Sequence, residues 1–387
     1  MAQLLIAHGG APTAVINASL VGAVREAQRS GKVDGILGAA RGTGGILKES
    51  FMDLTGLDET ALQALTASPA SAIGTSRTPL EEGDYADIVR VLKKHGIGYV
   101  LLTGGNGTMD TCAKLREACR KDGILVGGIP KTIDNDLDLT DHAPGFGSAA
   151  RFAAVSMREI AADVAALPIH VCIVEYMGRN AGWIAAASAL AREKAGDAPH
   201  LLLVPEVPFD EADFLKEVTR IWKQGRGVVV AVSEGIRYAD GTPVAPPLFT
   251  SGRAVYFGAV SQYLSRLVIE KLGIKARCET PGILGRCCGE MASPVDRTEA
   301  ESLGALAART VLNGTGGMMA GLRRVSDEPY QCEEILIPLE GLALHERPLP
   351  REYLAPYDVT ESFLRWCRPL IGDQLPTITQ WVGREKT

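Results

Sequence analysis

The chain has 387 residues, 46% hydrophobic and 22% charged, proportions of a soluble globular protein long enough for two domains. Its net charge of −6 argues against a nucleic-acid or membrane-surface partner, so any cation that holds a phosphate must be placed locally. No run reaches the roughly 18 apolar residues of a membrane span, and the N-terminus lacks a signal-peptide pattern; the expected location is the cytoplasm. The eight cysteines form no Cys-x-x-Cys pair, Cys287 and Cys288 being adjacent and the others scattered, which reads as reduced thiols.

Leu4 to Ala7 is a short apolar run that leads into His8-Gly9-Gly10-Ala11-Pro12-Thr13, and a helical pattern follows from Val15 to Gln28. Gly35 to Ala40 reads as a second strand. Glu82 to Lys94 is amphipathic, with Ile88, Val91 and Leu92 on one face. Gly98 to Leu102 predicts a strand feeding Gly104-Gly105, Thr108 to Arg120 a helix, Ile124 to Ile129 a strand and Ala149 to Ala166 a helix. His170 to Tyr176, His200 to Val204 and Gly227 to Val232 are further apolar strands separated by helical segments. Repeated strand–helix units predict an α/β fold of two domains, each a mostly parallel sheet covered by helices. Ligands of such sheets sit at the carboxyl ends of the strands, where the loops 8–13, 74–79, 104–108, 130–136, 177–182 and 233–237 are expected. The proline-rich stretch from His345 to Tyr357 is expected to wrap the surface. Trp366 and Trp381 should anchor the C-terminal segment, and His142 and His345 read as surface histidines.

Two loops carry most of the chemistry. Gly104-Gly105-Asn106-Gly107-Thr108 follows an apolar strand, and a glycine-rich turn there can approach phosphates through its backbone N–H groups. About one strand–helix unit later, Pro130-Lys131-Thr132-Ile133-Asp134-Asn135-Asp136 offers a lysine, a hydroxyl and two carboxylates. One carboxylate can accept a proton from a sugar hydroxyl and the other can help hold magnesium. That equipment suits phosphoryl transfer, in which positioning and charge stabilisation carry most of the catalysis. The plainer reading is a hydrated turn in which Asn and Asp do turn work. Arg77, among the small residues of Gly74 to Pro79, suits a phosphate ligand. Arg179, in Met177-Gly178-Arg179-Asn180-Ala181-Gly182-Trp183, can reach an anion. Glu234, in Ser233-Glu234-Gly235, can accept hydrogen bonds from sugar hydroxyls, with capping of the next helix as the rival role.

Taken together and in order, these segments resemble the phosphofructokinase family. The match runs through Gly9-Gly10, the 74–79 loop, Gly104 to Thr108, Pro130 to Asp136, Pro144-Gly145-Phe146-Gly147, Met177 to Trp183, Ser233-Glu234-Gly235 and Arg277 to Arg286. The wording around Gly10 and around Arg179 looks most like the pyrophosphate-using branch. The resemblance implies that Asp134 is the general base for the sugar 1-hydroxyl and that Asp136 supports magnesium and the loop. It implies that Thr132 binds substrate, that Lys131 and Arg179 assist transfer, and that Gly10, Arg77, Gly105, Asn106, Gly107 and Thr108 hold the donor. Met177, Gly178 and Glu234 would line the sugar site, and Arg277 and Arg286 would meet the sugar-phosphate end. The implied division is a donor-binding domain of residues 1–145 plus about 286–330 and a sugar-phosphate domain of about 146–285 plus 331–387. A homodimer or homotetramer, Mg2+ as cofactor, and a place in glycolysis follow from the same resemblance.

The departures are informative. The position of Gly107 usually holds aspartate in the pyrophosphate branch, whereas glycine is what ATP-using enzymes carry; Lys131 points the other way. Opening space is necessary for ATP, while a flexible lysine can move aside, so ATP is favoured over pyrophosphate. Asn106 replaces the commoner aspartate and weakens the expected magnesium contact. His170 stands where an arginine usually reaches a neighbouring subunit's sugar-phosphate site, and Gly285-Arg286 replaces Gln-Arg. Fructose 6-phosphate is the default acceptor, with another phosphorylated ketose such as sedoheptulose 7-phosphate as the alternative. A binding-only regulatory paralogue is the non-enzymatic reading; Asn106 and His170 favour it, and the intact Thr132 to Asp136 loop and Arg179 oppose it.

Overall fold

The computed structural model describes residues 2–251, 254–342 and 345–378. In chain order the first elements are β1 (Ala2–His8), α1 (Ile16–Ser30), β2 (Val33–Ala39), α2 (Thr43–Leu47), β3 (Phe51–Asp53), α3 (Glu59–Ala67), α4 (Glu82–Lys94), β4 (Ile97–Gly104), α5 (Asn106–Cys119) and β5 (Leu125–Pro130). There follow α6 (Phe146–Ala166), β6 (Val171–Tyr176), α7 (Trp183–Ala187), β7 (Leu201–Leu203), α8 (Glu211–Trp222), β8 (Val228–Ser233), β9 (Pro247–Ser251), β10 (Ala254–Phe257), α9 (Val260–Leu272) and β11 (Ala276–Glu279). The last are α10 (Leu284–Cys287), α11 (Pro294–Leu312), β12 (Met318–Asp327), β13 (Tyr330–Pro338), β14 (Leu354–Ala355), β15 (Asp358–Val359) and α12 (Glu361–Cys367). No helix among the described residues is long and apolar enough to cross a membrane.

The chain divides into two compact units. The first comprises Met1–Ala149, Arg286–Arg347 and Pro369–Gly372, and the second Ala150–Gly285, Pro348–Arg368 and Asp373–Thr387. The first unit is built on a seven-stranded sheet of order β13-β12-β5-β4-β1-β2-β3, parallel through its centre and antiparallel only at the edge pairs β12–β13 and β2–β3. Side chains alternate along its strands: Leu5 and Ala7 of β1 enter the core beneath α4 and α5, while Leu4 and Ile6 enter the core beneath α1 and α11. Both faces are therefore covered, which is why the central strands are apolar throughout. The expected crossing at residue 330 falls instead at 347, because β13 pairs with β12 along its whole length.

The second unit has a parallel four-stranded sheet of order β11-β6-β8-β7. Its core gathers Ile173, Val230 and Val232 with Phe214, Val218 and Leu264 from the covering helices. Trp183 and Trp366 pack with ring centroids 5.0 Å apart, so Trp366 does anchor its segment; Trp381 lies outside the described residues.

Candidate active site

In the first unit a cavity of about 610 Å³ opens where β1, β4 and β5 end. Four of the six expected loops line it. The 8–13, 104–108 and 130–136 loops follow those three strands directly. The 74–79 loop follows no strand; it reaches the end of β1 because Gly10 N donates to Ser76 O at 2.9 Å and Thr75 Oγ1 donates to Gly10 O at 2.7 Å. Gly10 makes this turn with φ +75°, a conformation that favours glycine. Gly9 and Gly104 both abut Thr108, and a Cβ at either position would strike its side chain. Glycine at these places is what lets the two phosphate-type turns close on the start of α5. That helix has Gly105 as its N-cap and no side-chain cap, which leaves its first turn open to an anionic ligand.

The acid loop is organised by its own hydroxyl. Thr132 Oγ1 accepts from Asp134 N at 3.1 Å and donates to Asp136 Oδ1 at 3.0 Å. Asn106 Nδ2 donates to Asp136 Oδ2 at 3.1 Å and to Asp136 O at 3.2 Å, which joins the glycine turn to the acid loop. Asn135, between the two acids, is fully buried at φ +52°, and its Oδ1 accepts from Ala143 N at 3.1 Å. Lys131 is buried, and its Nζ donates to Ala11 O at 2.6 Å. Burial pushes its ammonium down to about 8; Asp134 offsets part of this, while Arg77 adds to the lowering. His8, buried beside it with Nδ1 2.8 Å from Ser71 Oγ, is held neutral because burial and then Lys131 lower it to about 3.

Arg77 and Arg286 also line this cavity, as do Tyr85 of α4, Lys114 of α5 and Glu346. Sequence reasoning missed those last three, which lie in no loop motif. Arg286 was expected to act with Arg277 at the sugar-phosphate end. The structure places Arg286 on α10 in the first unit's cavity, and Arg277 on β11 in a cavity of the second unit. A further cavity, of about 730 Å³ between α4 and α5, shares Leu80, Tyr85 and Lys114 with the first and is largely apolar.

In the second unit, Arg179 and Glu234 line a cavity of about 220 Å³ with Glu175 and Arg237. The Arg179 turn is tied at both ends: Ser233 Oγ donates to Gly178 O, and Gly182 N donates to Glu206 Oε1 at 2.9 Å. Met177 and Gly178 precede Arg179 on this turn but are not among the residues lining that cavity. Glu175 was not singled out from the sequence, because it sits inside β6. It accepts from both N and Oγ of Ser261 at 2.8 Å, and burial raises its pKa despite these bonds. His170 is only 3% exposed and lines another cavity with Lys275 and Arg277. Burial, and then Arg277, lower its pKa from the ordinary value of 6.5.

His142 is not the surface histidine expected. It is buried, with Nδ1 2.8 Å from Asp141 Oδ2 and Nε2 2.7 Å from Glu299 Oε2. Burial alone would lower its pKa, but Glu299 and Asp141 more than offset this and raise it to about 9. The eight cysteines are free thiols, as expected.

Glycine turns, an uncapped helix start, a buried lysine and two acids at the carboxyl end of a parallel sheet define a class of α/β enzyme that handles phosphates. The chain belongs to the phosphofructokinase family: the family model described as Phosphofructokinase matches residues 3–311. It is a phosphotransferase of the 6-phosphofructokinase type. A pyrophosphate–fructose 6-phosphate 1-phosphotransferase of Xanthomonas campestris pv. campestris is 38% identical over 97% of this chain and 92% of its own length. A sulfofructose kinase of Alkalicoccus urumqiensis is 32% identical over 98% and 97%. The crystal structure of a pyrophosphate-dependent phosphofructokinase from Marinobacter aquaeolei superposes with a TM-score of 0.87 at 31% identity, covering 99% of this chain and 95% of that one.

Proposed function

We propose that the chain transfers a phosphoryl group from ATP to the 1-hydroxyl of fructose 6-phosphate. The observation that carries the donor assignment is Gly107: a Cβ built there meets nothing within 4 Å, so the cavity stays open toward Leu80, Tyr85 and Lys114, where a nucleoside has room. Pyrophosphate is the second reading. It is favoured by the names of the Xanthomonas and Marinobacter relatives and by Lys131, whose buried ammonium suits a compact, highly charged donor.

In this reading Asp134 takes the proton of the acceptor hydroxyl, and Thr132 and Asp136 orient the acceptor. Gly10, Arg77, Gly105, Thr108 and Lys131 bind donor phosphates. Arg179 stabilises the transferring group, and Glu234, with Met177 and Gly178, binds the sugar. Arg286 meets the far end of the acceptor, and Arg277 and His170, which line one cavity of the same chain, together reach the acceptor of a neighbouring subunit in a homodimer or homotetramer. The residues present also fit magnesium. Asn106 Oδ1 is buried with no hydrogen-bond partner among the described residues, and Asp136 supplies a hard carboxylate oxygen beside it. Asn106 and Asp136 would hold the ion, which when bound neutralises charge on the donor phosphates. An enzyme of this specificity serves glycolysis in the cytoplasm. The test is a grid of ATP, ADP and pyrophosphate against fructose 6-phosphate, sedoheptulose 7-phosphate and 6-sulfofructose, with magnesium. Highest kcat/KM for ATP with fructose 6-phosphate is the expected result. A pyrophosphate-only enzyme would overturn the donor assignment, and no turnover with any pair would favour a binding-only paralogue.

A further inference from the structure

Residues 345–347 lie outside the span matched by the family model, yet they form part of the frame that holds the acid loop. Glu346 makes an isolated antiparallel bridge with Leu137, and the N–H of Arg347 donates to Asp136 O at 2.9 Å. The Arg347 guanidinium then spans the neck of the loop. Its Nε and Nη2 donate to Asn135 O at 3.3 and 3.1 Å, Nη1 donates to Thr140 O at 2.6 Å, and Nη2 donates to Asp141 O at 2.8 Å. Thr140 and Asp141 are in turn fastened to β12: Asp141 N donates to Leu322 O at 2.8 Å, and Leu322 N donates to Thr140 Oγ1 at 3.0 Å. One planar cation thus ties the carbonyl that lies between the two acids to a strand of the central sheet. The loop needs such a tie, because Asn135 and Leu139 both hold positive φ, at 52° and 62°. A lysine has no fork with which to join three carbonyls.

We propose that Arg347 is a positioning residue for phosphoryl transfer. It fixes the peptide between Asp134 and Asp136, and with it the direction of both carboxylates, through main-chain contacts. The proposal rests on the reading of Asp134 as the base. Its consequence is catalytic because a displacement of about 1 Å at a reacting group costs about 100-fold in rate.

The test uses the full chain with Arg347→Ala, and with Arg347→Lys in case the alanine variant folds poorly. Amide hydrogen exchange is read over residues 132–141. Then kcat and KM are measured with the best substrate pair from the grid, with and without dilute guanidinium chloride matched against sodium chloride. The expected result is faster exchange confined to 132–141 and a kcat lower by about 100-fold, with much smaller changes in both KM values. Guanidinium, and not sodium, should recover part of the loss in Arg347→Ala, and lysine should recover little. Unchanged exchange over 132–141 would overturn the proposal, as would a wild-type kcat despite a loosened loop. So would a loss of activity with exchange raised throughout the chain and no guanidinium recovery. If Asp134→Ser retains turnover, the catalytic reading of the loop falls on its own, and the exchange data still decide whether Arg347 holds it.

Discussion

Lys131 Nζ donates to the main-chain carbonyl of Ala11, which holds a buried ammonium against the first glycine turn of the first unit's cavity. Its pKa is lowered to about 8, chiefly by burial. The ammonium is therefore charged in the free enzyme below about pH 8 and loses its charge above it. With Lys131 as a donor ligand, as proposed, kcat/KM for the donor should fall as pH rises through about 8. Lys131→Met should lower donor affinity at pH 7 and flatten this limb. A donor profile identical in wild type and Lys131→Met would remove Lys131 from donor binding.

Asp134→Ser should keep the fold and acceptor binding, because the tie from Asp136 to Thr132 and Asn106 remains. Turnover should fall at least ~100-fold, the low end of general-base contributions. Steady-state kinetics beside acceptor titration calorimetry check this, and near-normal kcat would show that the base lies elsewhere.

Gly107→Asp should suppress ATP use. The space around Gly107 is open, so the carboxylate fits without disturbing the fold, and it then occupies the donor cavity with a like charge. The measurement is the ratio of kcat/KM for ATP to that for pyrophosphate. A variant with undiminished ATP activity would contradict the role given to Gly107.

The His142 cluster gives stability a pH dependence. The folded pKa of about 9 exceeds the ordinary 6.5, so the stabilisation is fully present below about 6.5 and is lost as pH rises through about 9. Thermal midpoints should fall between those values. His142→Gln should remove most of the slope and cost about 3 kcal/mol, because Asp141 and Glu299 lose their buried partner. Midpoints independent of pH over this range in wild type would mean that His142 is neutral in the fold.

For His170 the lowered pKa moves the useful window. Acceptor affinity should strengthen as pH falls, over a window lower than that of an ordinary imidazole, as the ring gains charge. His170→Arg should tighten fructose 6-phosphate binding by a charge-assisted hydrogen bond of about 1.5–3 kcal/mol and remove the pH dependence. Equal affinities and profiles for the two proteins would leave His170 as a packing residue.

What the sequence alone determined is what is local. Apolar runs of strand length set β1, β4, β5, β6 and β8, because burial on both faces of a parallel sheet demands them. Gly104 to Thr108 and Lys131 to Asp136 could be read directly, because turn geometry and acid–hydroxyl chemistry are written within a few adjacent residues. The tertiary structure decided whatever depends on partners far apart in the chain. Pairing of β13 with β12 drew residues 331–338 into the first unit, and Glu299 and Asp141 hold a supposed surface histidine buried between two carboxylates. The 74–79 loop reached β1 through hydrogen bonds to Gly10. Arg347, in a stretch read only as surface wrapping, found the carbonyls of Asn135, Thr140 and Asp141. Hydrophobic period and turn chemistry act over a few residues, whereas a buried charge is placed by whichever carbonyls and carboxylates the folded sheet brings to it.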